Sequence, residues 1–201
     1  MALLFAKNNS LSAVTALPAS ISGGGLNLIS TQTASSSSTI DFTSGIDSTY
    51  KEYIFKFISI HPSADGSQFL FNLSADTGSN YNVTKTTTAF RSFHSEDDSA
   101  TGLGYYTGGD LAQSTDFQRF ADSLGNDNDQ SLSGTFTLFN PSSTTFVKHF
   151  IANVNYSYDA DYSLQYFMAG YGNTTSAINA IQFKMNSGNI DSGTITLYGI
   201  N

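Results

Sequence analysis

The sequence predicts an all-β fold: an antiparallel, jelly-roll-type β-sandwich over residues 26–201, led by an N-terminal arm over residues 1–25 and carrying one short helix. Three observations predict it. Apolar and polar residues alternate with a period of two in roughly ten short runs. Clusters of Gly, Asn, Asp, Ser and Pro separate the runs, as turns require. Aromatic residues reach 13% while charged residues fall to 12%, so Ser, Thr, Asn and Gln must supply the polar surface, a mixture that suits half-exposed strands.

Each element follows from its own residues. Residues 1–25 read as an arm and hinge. Small polar and apolar residues alternate there, Pro18 interrupts, and Gly23-Gly24-Gly25 ends the segment, with a disordered leader as the competing reading. Leu3, Leu4 and Phe5 at the tip, with Leu11, Val14, Leu17 and Ile21 behind them, form an apolar set that asks for a partner surface. Leu28 and Ser30 to Thr33 predict a first strand, and Thr39 to Phe42 a second. From Glu52 to Ile60, apolar residues occupy both faces (Tyr53, Phe55 and Phe57 against Ile54, Ile58 and Ile60), which predicts a central strand. Pro62 ends its pairing. Phe69, Phe71 and Leu73 mark the next strand, and Tyr81 to His94 a long Thr-rich strand or hairpin.

Glu96 to Gly109 is acidic and then Gly/Tyr-rich, and predicts a long loop. Phe117, Phe120, Ala121 and Leu124 recur at helical spacing. With Ser114 or Thr115 as cap and Gly125 as stop, they predict the one helix, Thr115 to Leu124. Thr135 to Phe139, Phe146 to Val154 and Tyr162 to Tyr171 follow as strands. Asn140-Pro141-Ser142-Ser143 is a strong turn between the first two. At the end of the chain, Ile178, Ile181 and Phe183 precede a Gly/Asn/Asp turn and Ile195, Leu197 and Ile200 follow it, which predicts a closing hairpin.

Composition narrows the function. Eight basic residues against 16 acidic ones give a net charge of −8, which cannot build a phosphate-binding stripe or favour an anionic bilayer, so neither nucleic acid nor membrane is an expected partner. The chain has no cysteine, which removes disulfides, thiolate metal sites and a cysteine nucleophile together. No apolar run reaches transmembrane length. Ala2 to Ala6 lacks a basic flank and is broken by Lys7, so it does not read as a signal peptide. The expectation is synthesis in a cytoplasm and, if the chain leaves, release by lysis or assembly.

Chemistry-bearing clusters are sparse. Asp127 and Asp129, with Asn128 between them, are the best calcium candidates, but no Gly or distal Glu completes an EF-hand loop. Glu96, Asp97 and Asp98 read as a solvated acidic loop. His61, His94 and His149 are too scattered to form a ligand motif. No Gly-x-Ser-x-Gly elbow occurs. No catalytic residue, cofactor or metal is therefore assigned. Tyr105, Tyr106, Tyr156 and Tyr158 are candidate ligand contacts, since tyrosine stacks on sugars and anchors interfaces at low entropic cost. Strand packing is the competing use of the same residues.

Four blocks carry a resemblance. Residues 27–57 (NLISTQTASSSSTIDFTSGIDSTYKEYIFKF) resemble the opening of a family of virion structural proteins of tailed bacteriophages, found mostly in phages of marine bacteria and cyanobacteria. Residues 125–129 (GNDND), 139–150 (FNPSSTTFVKHF) and 169–185 (AGYGNTTSAINAIQFKM) are similar to its later blocks. The resemblance spans about residues 27–201 and carries no catalytic motif. It implies a non-enzymatic protein of the virion surface. Two placements follow as expectations. One is a capsid decoration protein, trimeric by preference, whose arm docks on other virion proteins while the sandwich faces out. The other is a tail-fibre or baseplate tip whose Tyr/Asn/Asp loops meet host surface glycans. A polysaccharide depolymerase is a third class and would need carboxylates converging in a groove.

Overall fold

The fold is taken from a computed structural model, which describes residues 25–200. It is a sandwich of two antiparallel sheets built from twelve strands: β1 (Asn27–Thr33), β2 (Ile40–Phe42), β3 (Glu52–Pro62), β4 (Phe69–Ser74), β5 (Lys85–Ser95), β6 (Thr101–Tyr105), β7 (Gln118–Arg119), β8 (Leu132–Phe139), β9 (Lys148–Tyr158), β10 (Tyr162–Gly172), β11 (Ala180–Met185) and β12 (Ile190–Ile200). The large sheet runs β1-β12-β3-β8-β9-β10-β5-β6 and the small one β2-β11-β4-β7. The all-β sandwich expected from the alternation is present. The arm residues Leu3, Leu4, Phe5, Leu11, Val14, Leu17 and Ile21 lie outside the described residues.

Alternation explains which residues meet. Tyr53, Phe55 and Phe57 of β3 are buried, and their neighbours Ile54 and Lys56 face outward. The inward phenylalanines meet those of the small sheet. Phe55 lies 5.3 Å from Phe42 and 5.4 Å from Phe183, ring centre to ring centre. Phe57 meets Phe69 at 5.3 Å, and Phe71 meets Phe136 at 4.7 Å. Most of these pairs are tilted or edge-to-face, arrangements the ring quadrupole favours. The small sheet thus caps the β12-β3-β8 part of the large one.

The rest of the large sheet, β9-β10-β5-β6, is bordered differently. Residues 106–114 run alongside β5 beyond the end of β6 and bond to its edge. Tyr106 N–H donates to the Ala89 carbonyl (2.9 Å), Thr87 N–H to Leu111 (2.9 Å), and Lys85 N–H to Ser114 (2.8 Å). Tyr166 of β10 reaches down and donates to the Gly109 carbonyl at 3.0 Å.

Three expectations are corrected. Residues Thr115 to Leu124 form no helix. Gln118 and Arg119 pair with β4, the Phe120 N–H donates to Phe69, and the Leu124 N–H donates to Ser67, each at 2.7 Å. The spacing of Phe120, Ala121 and Leu124 serves the core, where all three are buried. Ser123, at φ 51°, has left-handed backbone that no α-helix admits. Second, Glu96 to Gly109 is not one long loop. Thr101–Tyr105 is a strand paired with β5, and a single 3-10 turn follows at Thr107–Gly109. Its glycines hid it, and one has a packing reason. A Cβ on Gly102 would come within 2.5 Å of the Phe93 ring.

Third, the closing hairpin is not a hairpin. β11 pairs with β2 and β4 in the small sheet, whereas β12 pairs with β1 and β3 in the large one. The Gly/Asn/Asp segment between them carries the chain from one layer to the other. By contrast, the Asn140-Pro141 turn does join paired neighbours, β8 and β9.

Candidate functional site

The outer face of the large sheet is the surface that the fold leaves uncovered among the described residues. Its side chains are fixed by register. One row crosses seven strands: Leu28, Tyr198, Ile54, Thr137, Ile151, Ala169 and Thr88 are successive cross-strand partners from β1 to β5. A parallel row runs Tyr105, Phe90, Phe167, Asn153, Thr135 and Lys56.

Apolar exposure concentrates here. The exposed large apolar side chains are Leu26, Leu28, Ile58, Phe90, Leu103, Tyr105, Phe146 and Ile151. All but Leu26 and Phe146 project from this face by alternation. Leu103 is 77% exposed, Leu28 64% and Ile151 54%. Between Tyr171, His149 and Ile151 the face dips into an open depression of about 490 Å³, floored by Ala169 and Gly170. A smaller hollow of about 160 Å³ beside Phe90 and Phe167 shares Ile151 and Thr88 with it.

The face is nearly uncharged. Glu52 and Lys56 are its ionic side chains on the two apolar rows and the row beside them. The Lys56 ammonium sits 5.3 Å from the centre of the Tyr198 ring. A broad, weakly charged sheet face that sets large apolar side chains among threonines and asparagines suits contact with another surface.

The candidate tyrosines separate. Tyr105 is exposed on β6, at the margin of this face, and its hydroxyl donates to Asp110. Tyr106 lies on the inner side, where its hydroxyl donates to Asp122 and the Arg91 guanidinium covers its ring at 4.0 Å. Tyr156 is in the core, 1% exposed, and so contacts no surface ligand. Its hydroxyl donates to the Asp122 carbonyl (2.9 Å) and accepts the Asp122 N–H (3.0 Å), and burial pushes its pKa up. Tyr158 stacks on Tyr162 at 5.7 Å, which in turn stacks on Phe93 at 5.7 Å. Phe90 and Phe167 stack on each other at 4.7 Å and 13°. Tyr158 and Phe90 thus each give a ring face to a neighbouring ring and Tyr106 gives one to Arg91, whereas Tyr105 stacks on no described ring.

The charged candidates do not converge. Asp127 and Asp129 are both exposed on the turn closed by the Gln130 N–H to the Asp127 carbonyl (2.9 Å). Among the described residues no three His, Asp or Glu side chains gather as a metal would need. His61 Nδ1 bonds the Gln130 carbonyl at 2.7 Å, His94 lies 3.1 Å from Asp98, and His149 packs edgewise on Tyr171. Glu96 and Asp97 line a separate polar hollow. Asp97 is held below the usual carboxylate range, chiefly by its hydrogen bonds from Ser99.

Sequence reasoning missed two buried lysines. Lys85 and Lys148 are fully buried, and both pair in register with Gly172 between them. Lys85 Nζ donates to Asn72 Oδ1 (2.6 Å) and the Val83 carbonyl (2.8 Å); Lys148 Nζ donates to the carbonyls of Phe146 (2.6 Å) and Thr174 (3.2 Å). Burial pulls the Lys85 pKa down to about 8 and lowers that of Lys148. The signal was present for Lys148, which alternates onto the same side as Phe150 and Ala152. A comparison with protein-family models finds no match, and a search of curated proteins returns no similar sequence.

Proposed function

We propose that the chain is a non-enzymatic structural protein of the bacteriophage virion surface, a capsid decoration protein that docks through residues 1–25 and carries the sandwich outward. The observation that carries this reading is the strand order. Strands β1, β12, β3 and β8 of the large sheet oppose β2, β11, β4 and β7. The chain therefore passes between layers at every step except β5 to β6, β8 to β9 and β9 to β10. We read this winding as an eight-stranded jelly roll, an architecture of viral capsid and lectin domains. The pairs β5-β6 and β9-β10 are then insertions that widen one sheet. The phage-like blocks lie on this frame: residues 27–57 contain β1, β2 and half of β3, and residues 139–150 contain the β8–β9 turn.

Decoration is preferred to a glycan-reading tip because, of the four candidate tyrosines, Tyr156 is core and Tyr106 and Tyr158 give ring faces to Arg91 and Tyr162. Self-association, with a trimer as the preferred state, would cover the sheet edges. The test is copy number per purified virion, by quantitative mass spectrometry against the major capsid protein. Hundreds of copies are expected. A few copies would move the protein to a tail or vertex and replace decoration by receptor binding. A variant lacking residues 2–25 is expected to fold yet fail to bind particles. Its retained binding would end the role given to the arm.

A further inference from the structure

The outer edge of β6 carries none of the devices that keep strand edges apart. We infer that two copies of the chain join there in solution, β6 running antiparallel to β6 of the second copy about a two-fold axis at Leu103. The inference concerns the free chain and does not rest on a virion role. It uses one edge of the large sheet and leaves β1 and the small-sheet edges to the self-association proposed above.

Hydrogen bonding carries it first. β6 pairs with β5 in an unbroken register, from Thr101 opposite His94 to Tyr105 opposite Phe90. Two bonds bracket this register: Ser95 N–H to the Ala100 carbonyl and Tyr106 N–H to the Ala89 carbonyl, both 2.9 Å. Bonded pairs alternate along an antiparallel ladder, so Gly102 and Gly104 also spend their backbone groups on β5. Thr101, Leu103 and Tyr105 therefore turn their N–H and C=O outward, where no described backbone group meets them. Such an edge is a template for a further strand. A second copy centred on Leu103 sets Leu103 against Leu103 and Thr101 against Tyr105, which satisfies all these groups at once. A centre at Gly102 or Gly104 leaves Tyr105 or Thr101 out.

The other edges are blunted. β2 has three residues and β7 two, and β1 is interrupted by a bulge between Leu28 and Ser30. Charge selects the occupant. Copies with a net charge of −8 repel one another, but residues 99–109 are all uncharged, between Asp98 and Asp110. Two copies can approach along that stretch, whereas a basic peptide finds no carboxylate on the strand to pair with. Shape agrees. On the outer face Leu103, 77% exposed, would cover its counterpart, and Tyr105, 59% exposed, would meet Thr101. On the inner face Gly102 would oppose Gly104, so no side chain separates the backbones. A Cβ on Gly104 would itself meet nothing within 4 Å. β6 has five residues, against the roughly 20–30 a side of a standard interface, so the dimer is a weak one.

The chain has no cysteine, so one introduced thiol reports one position. Full-length Leu103→Cys is treated with a short bismaleimide at low and high protein concentration. Covalent dimers are expected, in a yield that rises with concentration. Ser187→Cys, on the β11–β12 connection, is expected to stay monomeric. Sedimentation of Leu103→Pro supplies an independent readout. Proline removes an N–H that points away from β5, so the ladder within the chain keeps its bonds and the melting temperature is expected to match the parent's. Its dimer dissociation constant is expected to rise about tenfold or more, because the bonds at the axis are lost. Leu103→Lys, which sets two like charges together at the axis, gives the same reading if proline disturbs the fold. Three results would overturn the inference. One is Leu103→Cys that cross-links no better than Ser187→Cys. Another is a parent chain that sediments as a monomer up to about 1 mM. The third is a folded Leu103 variant, Pro or Lys, that associates as the parent does.

Discussion

Lys85 is the residue whose surroundings fit its charge least. It is fully buried, and its ammonium has an amide oxygen and a backbone carbonyl as hydrogen-bond acceptors. Its pKa, about 8 in the fold, rises to the ordinary 10.5 on unfolding. Between those values the unfolded chain binds more protons, so stability rises with pH through that window, by up to about 3 kcal/mol for a group so buried. Lys148 is shifted the same way. Above pH 10 the slope reverses, because burial raises the pKa of Tyr53, Tyr106, Tyr156 and Tyr166 and the unfolded chain loses those protons first. Urea midpoints taken from pH 7 to 10 are expected to climb in the native chain and to climb less in Lys85→Met. Equal slopes would show that Lys85 does not carry the effect. In the core, Phe120 is fully buried and meets Phe71 at 4.7 Å and Phe57 at 5.0 Å. Phe120→Ala is expected to cost about 3–5 kcal/mol in chemical denaturation.

Strand pairing is tightest where side chains are missing. A Cβ on Gly134 of β8 would lie 2.4 Å from the Asn153 carbonyl oxygen and 2.6 Å from Val154 Cα, both backbone atoms of β9. Neither can rotate away, so Gly134→Ala is expected to cost about 1–3 kcal/mol. A melting temperature equal to the parent's would refute that reading. Legibility in the sequence followed the same local logic. β3 was readable as a central strand because Tyr53, Phe55 and Phe57 alternate with Ile54 and Ile58, and the Asn140-Pro141 turn was readable from its residue types. β7 was not, since Phe117, Phe120, Ala121 and Leu124 fit a helical period. Only pairing with β4, which sequence periodicity cannot see, decides against it. β6 was hidden by Gly102 and Gly104, which carry no side-chain pattern. The partners of β11 and β12 were invisible for a related reason: alternation states which face a strand buries, not which sheet receives it.

At the scale of the whole molecule, two layers of unequal width produce the surface on which function is argued. Four strands oppose eight, and residues 106–114 border the surplus along β5. The outer side of the wide sheet then holds most of the exposed large apolar side chains among the described residues. Among the sequence-derived sites, Tyr105 lies at the margin of that face, whereas Tyr156 is core, and Asp127 and Asp129 sit on an exposed turn. The row from Leu28 to Thr88 could not be read from sequence, because it joins residues of seven strands whose order is set only by folding. The sandwich should also fail as a unit. Removing residues 190–201 takes away β12, the partner of both β1 and β3. The truncated chain is expected to be unfolded rather than merely weakened; a cooperative melt in it would contradict this account.

That position of β12 bears on the order of events at the ribosome. β1 emerges early, yet its only strand partner among the described residues, from Thr194 to Gly199, is made more than 160 residues later. The nascent chain can form the β9–β10 hairpin and the β5–β6 hairpin, but β1 must wait for its partner until β12 has been made. Closing so large a loop is slow. The large sheet therefore closes only once β12 has emerged, and an exposed first strand during that interval is the point at which a chaperone, or a neighbouring nascent chain, would meet it.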